Sequence, residues 1–138
     1  MGMAETVKIL DALETLRDAA HQNSKEKGFW GPTTDTPWNF GEKVALIHTE
    51  LSEMFEAWRC GKSESESEKD IRIIDSGHRS AEDPIGTRRI TAIEEEMADT
   101  FIRLLDLCGK LDIDVGRVIL AKMAYNRGRD HMYGGRKC

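Results

Sequence analysis

Glu42-Lys43-Val44-Ala45-Leu46-Ile47-His48-Thr49-Glu50-Leu51-Ser52-Glu53-Met54-Phe55-Glu56-Ala57-Trp58-Arg59 decides how this chain reads. Val44, Ile47, Leu51, Met54, Phe55 and Trp58 recur at helical spacing and make an apolar stripe. Within it Glu50 and Glu53 stand three positions apart, so they share one helix face a turn apart. The helix angle puts Glu50 only ~80° from the centre of the stripe, beside Leu46 and Ala57. A second stretch, Glu96-Met97-Ala98-Asp99, repeats the pattern. Glu96 sits at its stripe edge beside Thr100 and Leu107, while Asp99 is turned further out. Two readings are open for such pairs. They are solvated acids on charged helices, or acids aimed into a groove. In a groove they repel one another until a cation joins them, and hard oxygen donors suit Mg²⁺ or Mn²⁺ together with water and substrate phosphate.

Outward from these stretches, helical patterning covers most of the chain. Val7, Leu10, Leu13, Leu16 and Ala20 predict a first helix over residues 4–27, stopped by Gly28. Residues 28–39 are a Gly/Pro loop carrying Trp30 and Trp38, which either plug the end of a helical bundle or stack on a base. Asn39 with Glu42 and Thr91 with Glu94 read as capping boxes for the second and third helices. The second helix ends at Gly61, and the third runs to about Leu111 with Ile93, Met97, Phe101, Leu104 and Cys108 as its stripe. Asp112 and Asp114 are turn or cap candidates ahead of a fourth helix from Val115 to about Arg129. On it Lys122, Asn126 and Arg129 fall on one face, either as a solvated basic surface or as an anion-facing one.

Between the acidic pairs, residues 61–88 change character. Gly61-Lys62-Ser63-Glu64-Ser65-Glu66-Ser67-Glu68 reads as a mobile linker, and Ile71-Arg72-Ile73-Ile74 as a short strand or docking patch within it. The fold expectation is a single all-α domain over residues 1–138, a bundle of about four to five helices.

Composition narrows the function classes. With 138 residues, 39% hydrophobic and 33% charged, the chain suits one soluble core. No apolar run approaches a membrane span, and Glu5, Lys8 and Asp11 interrupt any secretory signal, so no membrane partner is expected. Cys60, Cys108 and Cys138 form no metal or disulfide pattern, which points to a reducing, cytoplasmic setting. A net charge of −5 argues against a nucleic-acid polymer as partner. Residues 115–138, with the basic tail 130–138, carry a net +5, and residues 1–114 a net −10. Carboxylates for a cation and cations for phosphates fit that division. His48 lies on another face than the acids and reads as a surface residue.

The order of Glu50-Leu51-Ser52-Glu53, Glu96-Met97-Ala98-Asp99, Lys122-Met123-Ala124-Tyr125-Asn126 and Arg129 resembles the MazG-like all-α nucleoside triphosphate pyrophosphohydrolases. The lead-in Glu42–His48 and the closing Gly134-Gly135-Arg136-Lys137 add to the resemblance, which takes in most of the chain outside roughly residues 61–88. Thr49 stands where that family's motif has its first Glu, and Glu56, on nearly the same face two turns on, is a partial substitute. The resemblance implies Mg²⁺-dependent hydrolysis of an NTP or dNTP to the monophosphate and pyrophosphate, in a bundle completed by homodimer or homotetramer assembly. It implies Glu50, Glu53, Glu96 and Asp99 as catalytic metal ligands, and Lys122, Asn126 and Arg129 on the nucleotide. The loop reading adds Trp30 as a base-stacking candidate, and the long spacer 61–88 reads as a lid or oligomer contact. The alternative expectation is a catalytically idle helical bundle that binds nucleotide or a protein partner.

Overall fold

The computed structural model describes residues 2–128; Arg129 and the basic tail lie outside the described residues. Four α-helices account for most of them: α1 (Met3–Glu26), α2 (Phe40–Arg59), α3 (Ala92–Lys110) and α4 (Val115–Arg127). Their ends follow local chemistry. Gly28 and Gly61 take positive φ angles just past α1 and α2, where a Cβ would be strained. The Asn39 side chain accepts from the Glu42 backbone N–H at 3.1 Å, and Asp114 accepts from Arg117 N–H at 3.0 Å to start α4. At α3 the expected capping box is complete. Thr91 Oγ1 accepts from Glu94 N–H at 3.3 Å, and the Glu94 carboxylate accepts from Thr91 N–H at 2.8 Å. No helix among the described residues is long and apolar enough to cross a membrane.

The chain divides into two compact units, one of residues 1–37 with 105–138 and one of residues 38–104. In the first, α1 packs on α4. The contact is close at Gly116, where an added Cβ would come within 3.0 Å of the Leu10 side chain. A second close approach is at Gly109 near the end of α3, where a Cβ would meet His21 at 2.5 Å. Any larger residue there displaces His21.

In the second unit, residues 61–91 carry the one departure from the all-α expectation. The apolar island becomes strand β1 (Arg72–Ile74), paired antiparallel with β2 (Thr87–Arg89) so that Ile73 faces Arg88, with a short 3₁₀ turn (Ser76–His78) between them. Three residues per strand are too few to show as alternation in a sequence, so only the β-branched run of Ile71–Ile74 signalled it. Pairing continues outward as single bonds: Ser67 N–H to the Ile90 carbonyl, Ile90 N–H to that of Ile71, and Ala92 N–H to that of Ser65. Thus the acidic run 61–68 returns along the segment that leads into α3. Asp83 closes the loop by accepting from Gly86 N–H, Thr87 N–H and the Thr87 hydroxyl.

Arg88 fastens this hairpin to the helix start. Its guanidinium forks onto both Glu94 oxygens at 2.7 and 2.5 Å and reaches Asp75 at 3.0 Å. Arg88 and the Thr91 N–H together hold the Glu94 carboxyl down to about 2. A carboxylate lowered in the folded state adds stability above its ordinary value, and that stability is lost as pH falls toward the folded one. Thermal melts should therefore show Glu94→Gln destabilised at pH 7. The gap to the parent protein should close between pH about 4.5 and about 2.

Candidate functional site

The two acidic helices of the second unit do not present their stripes as the periodicity suggests. On α2, Ile47 and Glu50 are buried, Glu50 at 6% exposure, while Phe55 and Trp58 stack on each other at 59% and 61% exposure. On α3 the half-buried or buried face is Glu96, Asp99, Thr100, Arg103 and Leu107, whereas Met97, Phe101 and Leu104 are exposed. Both helices thus turn carboxylates inward and much of the expected core stripe outward. Ile93 and Cys108, the other stripe residues, are half-buried.

Glu50, Glu96 and Asp99 each bring a carboxylate oxygen to within 4.8 Å of the others. Asp99 joins the cluster although the helix angle turned it further out. The environment is costly for negative charge. Burial first, then Glu53, Glu95, Glu50 and Asp99, push Glu96 up to about 7. Burial also raises Asp99. Glu53 is exposed, yet its charge acts on Glu96. Arg103, absent from the sequence-derived set, donates from Nε to Glu50 Oε1. Its position one turn beyond Asp99 on α3 was the available signal. The donor set, oxygen ligands only, is of the kind that suits a hard divalent cation.

Thr49, in the place of a further acid, bonds its hydroxyl back to the Ala45 carbonyl at 3.1 Å and is exposed. Glu56 is occupied by Arg59 at 2.8 and 2.7 Å, which holds its carboxyl below the ordinary value. His48 is exposed, in keeping with a surface role. A cavity of about 630 Å³ lies beside the cluster, lined by Glu53 and Glu96, by the end of α2, and by Lys62 and residues 65–69 of the insert.

The remaining sequence-derived residues belong to the first unit or lie outside, Trp38 excepted, which opens the second. Lys122 and Asn126 are exposed on α4, with the Lys122 ammonium 4.7 Å from the centre of the Tyr125 ring. Trp30 is 6% exposed, and its indole N–H donates to Asp106 at 2.8 Å. The same carboxylate pairs with His21 Nδ1 at 2.7 Å and accepts from the Ser24 hydroxyl at 2.6 Å. His21 meets the Trp30 ring edge-on, and the Lys110 ammonium lies 5.3 Å from a Trp30 ring centroid. These residues line a cavity of about 270 Å³ with Lys25 and residues 31–34. Trp38 lies edge-on to Phe40. Asp106 was missed because its partners are 76 to 85 positions away.

No family model, curated protein or solved structure matches this chain. The chemistry assigned to it therefore rests on the residues themselves.

Two outcomes are expected. Asp106→Ala strands three donors in a part-buried site and should cost on the order of 2–3 kcal/mol in urea unfolding, with a changed Trp30 fluorescence signal. Between pH about 4.5 and about 7 the folded chain holds a proton on Glu96 that the unfolded chain releases. Without divalent cation, this residue should make the melting temperature fall as pH rises through that window. Mg²⁺ should raise it most above pH 7, and Glu96→Gln should flatten the slope.

Proposed function

We propose that this chain is a Mg²⁺-dependent nucleotide pyrophosphohydrolase that converts an NTP or dNTP to the monophosphate and pyrophosphate. The observation that carries the reading is the inward-turned set Glu50, Glu96 and Asp99, three carboxylates kept close, with Arg103 bonded to Glu50. Surface acids would not be arranged this way, since burial of paired negative charge is unfavourable without a cation.

Glu50, Glu96 and Asp99, with Glu53 beside them, would hold the ion. Bound there, Mg²⁺ supplies positive charge against the phosphates and acidifies water. Among the chain's own groups, Glu53 lines the adjoining cavity and is suited to orient the attacking water and take its proton. The new P–O bond forms to the water oxygen as the anhydride bond to the leaving pyrophosphate breaks. The resemblance assigns Lys122 and Asn126 to phosphate and sugar, together with Arg129. Trp30, the base-stacking candidate from the loop's composition, is 6% exposed and bonded to Asp106, so stacking on a base is not part of this proposal. A homodimer or homotetramer belongs to this proposal. Its support is the exposed apolar face of Leu51, Phe55 and Trp58 on α2 and of Met97, Phe101 and Leu104 on α3. Removal of modified nucleotides from the cytoplasmic pool is the role that fits such an activity.

A second reading, nucleotide or protein binding without turnover, draws on Thr49, whose hydroxyl is spent on its own helix. Product analysis separates the two. Incubation with a panel of standard and modified NTPs and dNTPs should yield monophosphate plus pyrophosphate, abolished by EDTA. Glu96→Gln and Asp99→Asn should each lower kcat/KM on the order of 100-fold, about 2.7 kcal/mol of transition-state stabilisation. Diphosphate plus orthophosphate, or full activity in both variants, would sink the proposal. Binding without product would favour the second reading.

A further inference from the structure

The acid cluster has a cation beside it that the helices do not supply. Lys69 comes from the insert, outside every motif that the sequence reading used. Its ammonium pairs with Glu95, which is buried at the residue adjoining Glu96. Ser67, almost wholly enclosed, donates its hydroxyl to the same Glu95 carboxylate and accepts from the Lys69 N–H at 3.0 Å. Ser67, two residues before Lys69, thereby ties the insert backbone to α3. The Lys69 side chain as a whole remains largely exposed, and its charge acts on both Glu96 and Asp99. Lys62, Lys69, Glu53 and Glu96 all line the same cavity of about 630 Å³.

Part of the negative charge around that cavity, which Glu53, Glu68 and Glu96 also line, is already answered. Glu56 is bonded by Arg59, Glu66 pairs with Arg89, and Glu95 is held by Ser67 and Lys69. An ammonium has three donors and Glu95 engages one side of it, which leaves capacity for an anion arriving next to the cluster. Polyphosphate is the anion whose chemistry matches a carboxylate-lined cation site with a lysine at its edge.

We propose that Lys69, held in place by Glu95 and Ser67, is a phosphate-binding residue that the insert contributes to a polyphosphate site beside the acid cluster. The inference rests on the nucleotide hydrolase reading. It adds that the phosphate chain lies in the cavity beside Glu53 and Glu96, and that the insert contributes directly to it.

Calorimetry of the full chain in Mg²⁺ with two probes, inorganic tripolyphosphate and a non-hydrolysable nucleoside triphosphate analogue, tests this. Lys69→Met should weaken both probes by about tenfold, the loss expected for one charge-assisted bond, and Lys69→Arg should retain most of the affinity. Binding of Mg²⁺ alone should be unchanged or tighter in Lys69→Met, because a competing positive charge has gone. Ser67→Ala is the structural control: it loosens the insert without changing its charge, and should lower the melting temperature more than it weakens either probe.

Equal loss of affinity in Ser67→Ala and Lys69→Met would overturn the proposal, since Lys69 would then be only a fastener. So would an effect of Lys69→Met below twofold in a parent protein that binds both probes and loses them on Asp99→Asn. That second outcome leaves the hydrolase reading standing. If the parent chain binds neither probe, both fail together.

Discussion

Negative charge enclosed between two helices sets the terms for the second unit. Glu50, Glu96 and Asp99 converge with only Arg103 bonded to one of them, and Glu96 is driven up to about 7 by burial and by its acidic neighbours. A protein gains nothing in stability from such a cluster by itself. The cluster sits on helices with ample apolar residues to bury instead, and the proposed cation-dependent chemistry starts from that cost. The same orientation has a second consequence. Turning the carboxylates in turns Phe55, Trp58, Met97 and Phe101 out, and this exposed apolar face is the basis of the proposed assembly.

The insert between the acidic helices is tied to that arrangement by charge rather than by a core of its own. Arg88 forks onto Glu94, the residue that also completes the α3 capping box, so hairpin and helix start share one carboxylate. One position further, Glu95 takes Ser67 and Lys69. Glu94, Glu95 and Glu96 are consecutive, and helical geometry points each in a different direction. One caps and anchors, one receives the insert, and one enters the acid cluster. A run of three glutamates that looks like surface charge is divided among three separate tasks.

In the first unit, Asp106 plays the organising part, gathering an imidazole, a hydroxyl and an indole N–H from α1 and the loop that follows. The approach depends on Gly109, since a side chain there would occupy the place of His21. Three hydrogen bonds on one carboxylate fix the Trp30 ring where loop composition alone left its role open.

The sequence by itself determined the helices, because periodicity, capping residues and glycine stops are local: Asn39, Thr91 with Glu94, Asp114 and Gly61 all act within a few positions of the ends they mark. It also placed Glu50 and Glu96 at stripe edges, since one helix angle suffices for that. Which side of each helix faces inward was not legible, because amphipathic patterning says that two faces differ and not which of them finds its partner within one chain. Arg103 on Glu50, Lys69 on Glu95 and Asp106 on Trp30 were decided only by the tertiary structure. Each joins residues at least 26 positions apart, across which no helical or strand period carries information.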